Sequence, residues 1–144
     1  NKIGIIIGAR GTGKTALGMK VLENLCRKEG DILFSYLFGS LAYENSIPES
    51  DVDIAVYLDK KKKRDFFERR LDLISKFSRV LKKEADIIIL NEAPPFLKFV
   101  VLKEGKLFFD KSESKRIDFE LKATNEYFDF QPIMKLYEQR LLKI

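Results

Sequence analysis

The sequence comprises 144 residues, of which 45% are hydrophobic and 34% charged, and 27 basic against 22 acidic residues give a net charge of +5. This length and composition predict a single soluble globular domain with a substantial core. The chain contains no histidine, which excludes Ser-His-Asp and Cys-His catalysis as well as histidine-based zinc sites.

The single cysteine and the lengths of the apolar runs bear on where the protein works. Cys26 excludes an internal disulfide and fits a reducing compartment, so we expect a cytoplasmic protein. Cys26 falls within a helical pattern, and we expect it to pack in the core. No apolar run approaches the roughly 20 residues that a membrane-spanning helix needs, so no membrane partner is expected.

Apolar periodicity and turn residues predict alternating strands and helices, which make an α+β (mixed α/β) architecture. In chain order, the predicted elements are a strand at Lys2–Ile7, a helix at Gly13–Glu29, strands at Ile32–Phe38 and Val52–Leu58, a helix at Lys61–Lys83, a strand at Ala85–Leu90, a helix at Pro95–Lys103, a strand at Lys106–Asp110 and two C-terminal helices. Gln131-Pro132 is predicted to separate those last two helices, because proline interrupts helical hydrogen bonding.

The predicted helix at Lys61–Lys83 carries an apolar stripe at intervals of three and four residues. The stripe predicts a buried face made of Phe67, Leu71, Ile74, Phe77 and Leu81. The basic run Lys60–Arg64 stands at the start of this helix. We interpret it as a solvated helix start, and a nucleic-acid contact is possible but not favoured.

Three aspartates stand at the entrances of two predicted strands. Asp51 and Asp53 are two residues apart, so their side chains project from the same face of a strand. Asp86 begins the next strong strand and joins them if the two strands are neighbours. Carboxylates held side by side repel one another unless a cation lies between them, and a divalent cation is the natural solution. The opposite face of the first strand is apolar and is expected to face the core through Val52, Ile54, Val56 and Leu58.

Gly39 and Ser40 follow the strand that precedes the aspartates. Glycine has no side chain to obstruct a ligand, so backbone amides and the serine hydroxyl can approach a phosphate closely. A metal on one side and this small turn on the other predict a site for a nucleoside triphosphate.

The pattern of Gly-Ser, a short loop, Ser-Asp-x-Asp, an apolar strand and a later strand-borne Asp resembles the polymerase-beta-like nucleotidyltransferases. More narrowly, it resembles the minimal nucleotidyltransferases, which are the antitoxin partners of HEPN-domain toxins. The resemblance covers about Asp31 to Ile144, including "APPFLKFVVLKEGKLFFD" and "RIDFELKATNEYFDFQPI". One departure is that Tyr43 and Glu44 occupy positions where members usually carry a basic residue and a glycine.

The resemblance implies a nucleotidyltransferase sheet flanked by helices, with C-terminal helices. Residues 31–144 would form that domain, and residues 1–30 an N-terminal strand, glycine-rich loop and helix, all in one compact unit. Gly39 and Ser40 would hold the triphosphate, and Asp51, Asp53 and Asp86 would bind two Mg²⁺ ions. Asp86 would also act as the base. The implied reaction transfers AMP from ATP to a hydroxyl, which in the antitoxin members is a tyrosine of the HEPN toxin.

A rival motif lies near the start of the sequence. "GARGTGKT", Gly8–Thr15, matches the phosphate-loop pattern G-x-x-x-x-G-K-[ST], with a predicted strand before it and a helix after it. In this interpretation the amides of Gly11–Lys14, Gly13 among them, cradle phosphates, Lys14 contacts their oxygens and Thr15 binds magnesium. The alternatives are a phosphate-loop NTPase, an accessory phosphate site, a remnant of a phosphate-loop protein, and a glycine-rich entry to the first helix.

A third hypothesis is a non-enzymatic antitoxin that binds and neutralises its partner. Aromatic side chains of "EYFDF", namely Tyr127, Phe128 and Phe130, could then lie in the interface. Core positions are favoured for them instead. Complex formation without ATP and magnesium would favour the binding hypothesis over the enzymatic one.

Overall fold

A computed structural model of the chain describes residues 12–38, 52–61 and 65–142, with side chains for 18–38, 52–61 and 65–140. Among the helices so described, none combines the length and apolar character needed to cross a bilayer. The predicted strand Lys2–Ile7 lies outside the described residues. The elements are α1 (Thr12–Lys28), β1 (Ile32–Phe38), β2 (Val52–Leu58), α2 (Phe66–Leu81), β3 (Ala85–Ile89), α3 (Pro95–Glu104), β4 (Lys106–Asp110) and α4 (Glu113–Leu142).

The four strands form one mixed sheet in the order β3-β2-β1-β4. β1 runs antiparallel to both of its neighbours, β2 and β4, whereas β2 and β3 are parallel. A parallel pair needs a crossover connection, and α2 provides it. The architecture confirms the predicted α+β class.

The first face of the sheet is covered by α1 and α2. Alternate residues of β2 point into this side, which confirms the predicted core row of Val52, Ile54, Val56 and Leu58, each at most 2% exposed. From α2, Leu73 and Phe77 fill the same cluster, and both are fully buried. Cys26 of α1 is buried there too, as expected, with its Sγ 3.5 Å from the Ser35 Oγ.

The second face of the sheet is covered by α3 and α4. Val101 of α3 and Phe119 and Ala123 of α4 pack against the sheet residues of this side. The rings of Phe34 and Tyr57 stack at a centroid distance of 4.8 Å, and Phe119 lies 5.5 Å from Phe34. The sheet is therefore sandwiched between two helix layers over most of its area.

The predicted buried face of α2 is partly wrong. Phe77 is buried, but Phe67 is 63% exposed and Leu71 is 49% exposed. The helix begins at Phe66 rather than at Lys61, because the Asp65 side chain caps it by accepting a hydrogen bond from the Phe67 amide at 2.9 Å. The buried arc is rotated toward Arg69, a charged residue that is only 3% exposed.

Arg69 is buried because carboxylates surround it. Its guanidinium lies 2.6 Å from Asp31, 3.0 Å from Glu29 and 2.5 Å from Asp72. Hydrogen bonds to Asp31 and Glu29 raise the pKa of Arg69, so the side chain stays charged in the core. This ion network ties the α1–β1 turn to α2, and a hydrophobic pattern cannot reveal it.

The predicted break at Gln131-Pro132 is also wrong, because α4 is one continuous helix of 30 residues. Pro132 lies inside it and is exposed, so the missing N–H removes a helical hydrogen bond only on a solvent-facing side. Core positions were predicted for the three "EYFDF" aromatics. Tyr127 is half-buried and stacks on Phe99 at 3.8 Å, but Phe128 and Phe130 are 55% and 45% exposed.

Candidate active site

Two of the three predicted site aspartates lie side by side in the sheet. Asp53 of β2 and Asp86 of β3 are direct partners in the parallel register. Neighbouring strands lie about 4.8 Å apart, and side chains at paired positions of a parallel sheet leave from the same face. Phe38, the last residue of β1, is the partner of Asp53 on the other side. The two carboxylates therefore share one corner of the sheet.

This corner opens toward solvent on the second face. On β2, Asp53 lies on the same face as Ala55 and Tyr57. On β3, Asp86 lies on the same face as Ile88 and Leu90. These four apolar residues pack on the side of the sheet that α3 and α4 cover. Asp53 is half-buried and the Asp86 side chain is 51% exposed. Ala55, which follows Asp53 on the same face of β2, is fully buried. The carboxylates therefore stand at the accessible end of a face that is otherwise covered.

Arg70 of α2 contacts Asp86 directly, and the sequence did not single this residue out. Its Nε donates to the Ile87 carbonyl at 2.6 Å, and its Nη2 donates to Asp86 Oδ1 at 2.9 Å. β3 lies at the edge of the sheet formed by the described strands, and Ile87 accepts the Arg70 hydrogen bond through its carbonyl. The available signal was a basic residue three positions before Leu73, on the buried side of an amphipathic helix.

The other predicted site residues lie outside the described part of the chain. Gly39 and Ser40 directly follow β1, whose last residue is the partner of Asp53, and Asp51 directly precedes β2. Tyr43 and Glu44 also lie outside the described residues. The roles of Asp51, Asp53 and Asp86 as metal ligands, and of Gly39 and Ser40 as phosphate ligands, stay predictions.

The phosphate-loop candidate is described only in part. α1 begins at Thr12, so the backbone of Gly13, Lys14 and Thr15 is helical, while their side chains lie outside the description. A helix that starts within the glycine-rich stretch agrees with both the phosphate-loop interpretation and the interpretation as a helix entry. The described sheet has one parallel pair, whereas phosphate-loop NTPases rest on larger parallel sheets with crossover helices.

The donor set of the corner fits a hard divalent cation. Carboxylate oxygens are the ligands that Mg²⁺ takes from proteins, and one or two of them suffice when phosphates and water complete the octahedron. Asp53 and Asp86 supply two carboxylates from one face of adjacent strands. Within the described ranges, no group of three acidic or cysteine side chains could hold a metal, and Asp51 lies outside those ranges.

Solved structures with the same fold come from toxin–antitoxin systems. A toxin–antitoxin crystal structure with AMP-PNP is 23% identical with a TM-score of 0.75, covering 86% of this chain and 98% of that chain. The MntA-HepT toxin–antitoxin structure is 23% identical with a TM-score of 0.71, covering 88% and 98%. A tri-AMPylated Shewanella oneidensis HEPN toxin in complex with an MNT antitoxin gives the same identity, TM-score and coverage.

The family of the chain is shown by a match between its sequence and a family model. No curated protein sequence matches the chain. The family model described as polymerase beta, nucleotidyltransferase, matches residues 20–114, a stretch that includes Asp53, Arg70 and Asp86. The match covers more than half of the chain, and the fold agrees with it. The chain therefore belongs to the polymerase beta nucleotidyltransferase family.

Proposed function

We propose that this protein transfers AMP from ATP to a tyrosine hydroxyl of a HEPN-type toxin partner, and so acts as an antitoxin. The observation that carries the proposal is the register pairing of Asp53 with Asp86 at an accessible corner of the sheet. Structural relatives include a toxin–antitoxin complex with AMP-PNP and an AMPylated HEPN toxin with its MNT antitoxin. Those two complexes support the choice of nucleotide and of partner.

The residues divide the chemistry between metal, phosphate and proton. Asp51, Asp53 and Asp86 would hold two Mg²⁺ ions, and Gly39 and Ser40 would hold the triphosphate through backbone amides and a hydroxyl. When bound, such a metal pair supplies charge neutralisation for the leaving pyrophosphate and activates the attacking hydroxyl. The tyrosine oxygen forms a bond to the α-phosphorus, and the bond from that phosphorus to the β-phosphate bridging oxygen breaks. Asp86 accepts the hydroxyl proton.

The test follows the mass of the partner. The protein is incubated with ATP, Mg²⁺ and a HEPN-domain toxin as the proposed partner, and intact-mass spectrometry counts AMP increments. Wild type and the exposed control Asp118→Asn are expected to add AMP, and Asp53→Ala to add none. Full transfer by Asp53→Ala would contradict the proposed site, since that carboxylate is a ligand in the proposed mechanism. Inhibition of the partner with no mass increase would favour the binding-only antitoxin.

The phosphate loop is the second candidate, because Gly8–Thr15 matches its motif at every specified position. A phosphate-loop NTPase would hydrolyse ATP without labelling the partner, and hydrolysis would depend on Lys14. If the aspartate site carries the activity, as proposed above, Lys14→Ala should leave AMP transfer unchanged. ATP hydrolysis that is lost in Lys14→Ala and kept in Asp53→Ala would assign the activity to the loop instead.

A further inference from the structure

We infer that Arg70 is a positioning residue for Asp86: it holds one carboxylate oxygen so that the other faces the metal site shared with Asp53. The inference rests on the proposed function, because it concerns the same site. Arg70 lies in α2 on one side of β3, and the Asp86 side chain leaves β3 on the other face. The guanidinium therefore reaches round the edge of the sheet to make its contact.

Arg70 is itself fixed by the backbone of the edge strand. Its Nε donates to the Ile87 carbonyl at 2.6 Å. Two turns further along α2, the Ser78 hydroxyl accepts the Ala85 amide at 2.9 Å. These two contacts pair polar backbone groups of β3, which lies at the edge of the described sheet. α2 is thereby locked in register with β3, and the guanidinium plane is held in place next to Asp86.

The contact with Asp86 uses one oxygen of the carboxylate. Nη2 of Arg70 lies 2.9 Å from Oδ1, and among the described residues Asp86 forms no other side-chain hydrogen bond. A guanidinium presents its donors in a rigid planar fork, so one branch on Ile87 and the other on Asp86 together restrict the carboxylate. The Asp86 side chain is 51% exposed, and without Arg70 it would sample several rotamers.

Orientation and charge act in opposite directions at this corner. Asp53 and Asp86 are register partners, so their negative charges repel, and the Arg70 charge offsets part of that repulsion. Removing Arg70 makes the corner more negative, which favours a cation. It also releases the carboxylate, which disfavours the aligned geometry that transfer needs. A positioning role therefore predicts slower transfer without weaker metal binding, whereas a purely structural role would weaken both.

The experiment compares Arg70→Gln and Arg70→Lys with Arg79→Gln, an exposed arginine of the same helix. Three quantities are measured: the Mn²⁺ dissociation constant by electron paramagnetic resonance, the AMP transfer rate at saturating metal and ATP, and the thermal unfolding midpoint. We expect Arg70→Gln to slow transfer by about 10- to 100-fold, the range for groups that orient metal ligands. Its Mn²⁺ affinity should equal or exceed that of wild type. Arg70→Lys should stay slow, because an ammonium cannot span both acceptors, and Arg79→Gln should match wild type.

Three outcomes would overturn the inference. They are wild-type transfer by Arg70→Gln, full rescue by Arg70→Lys, and a loss of Mn²⁺ binding in parallel with a loss of folded protein. Failure of the proposed function looks different, since transfer would then also survive Asp53→Ala and Asp86→Asn, or be absent from wild type. Transfer that depends on Asp86 and not on Arg70 would remove this inference alone.

Discussion

Asp53 and Asp86 are direct partners in the parallel register of β2 and β3. In the same register, Ile54 is the partner of Ile87, and both side chains are fully buried on the opposite face of the sheet. A shift of β3 by one residue would turn Ile87 outward and Asp86 into the core, so the hydrophobic pattern and the site geometry enforce each other. The corner is thus specified by the packing of the sheet and not only by its loops.

The ion network around Arg69 should contribute strongly to stability. Arg69→Ala removes the guanidinium that lies 2.6 Å from Asp31, a carboxylate that is 5% exposed. Breaking a buried pair in this way costs about 3–5 kcal/mol in the free energy of unfolding. Urea denaturation measures it. Arg79→Ala on the exposed side of the same helix should cost less than about 0.5 kcal/mol, and equal costs for the two variants would contradict the role of the network.

The thiol of Cys26 should be inert in the folded protein. The side chain is fully buried, and burial raises the pKa of Cys26 from 9.0 to about 12. The thiolate is the reactive form, so both access and ionisation are suppressed. At pH 8, a thiol reagent should react at the rate of global unfolding, and quickly in urea. Rapid labelling without denaturant would show that α1 opens locally.

The same thiol should make stability fall with rising pH. The folded pKa of Cys26 is raised by burial, so above pH 9 the unfolded chain releases the proton while the folded chain keeps it. The contribution of the Cys26 thiol to the free energy of unfolding is therefore complete below pH 9 and is lost progressively toward pH 12. Each pH unit in this window lowers the free energy of unfolding by about 1.4 kcal/mol. Cys26→Ala, measured by urea denaturation across the window, should lack this component, and parallel slopes for the two proteins would refute it.

The two halves of α4 should differ in hydrogen exchange. In the first half, Phe119 and Ala123 are buried and Tyr127 stacks on Phe99. In the second half, Ile133, Leu136 and Tyr137 are 47%, 59% and 64% exposed. Helices are protected mainly by packing, so amides of residues 133–140 should exchange at least about 10-fold faster than those of 116–127. Uniform protection would mean that the distal half is covered in solution.

Much of the fold could be predicted because its signals are local. β1, β2 and β4 have the predicted bounds, since strand-forming residues are flanked by clear turn residues. The buried face of α2 could not be predicted, because Arg69 is buried by Asp31, 38 positions away. The continuity of α4 was hidden by Pro132, whose cost depends on whether its side of the helix faces solvent.

The residues of the candidate site also differ in how far local sequence signals reveal them. Asp53 and Asp86 could be singled out because each is a carboxylate near the start of an apolar strand, and a crossover helix favours parallel strands that are neighbours. Arg70 was not singled out, because its position in α2 was only a weak signal and its role depends on α2 lying along β3. Gly39, Ser40 and Asp51 stay predictions, since they lie outside the described residues.

The central claim is that the corner of Asp53 and Asp86 transfers AMP, which carries the α-phosphate of ATP, to a hydroxyl of the partner. The most direct measurement incubates the protein and the proposed HEPN-domain partner with Mg²⁺ and ATP labelled on either the α- or the γ-phosphate, and compares wild type with Asp53→Asn. The account predicts that the partner acquires label only from the α position, with release of pyrophosphate, and that Asp53→Asn transfers none while unfolding like wild type. Label from the γ position, or undiminished α-label with Asp53→Asn, would contradict it.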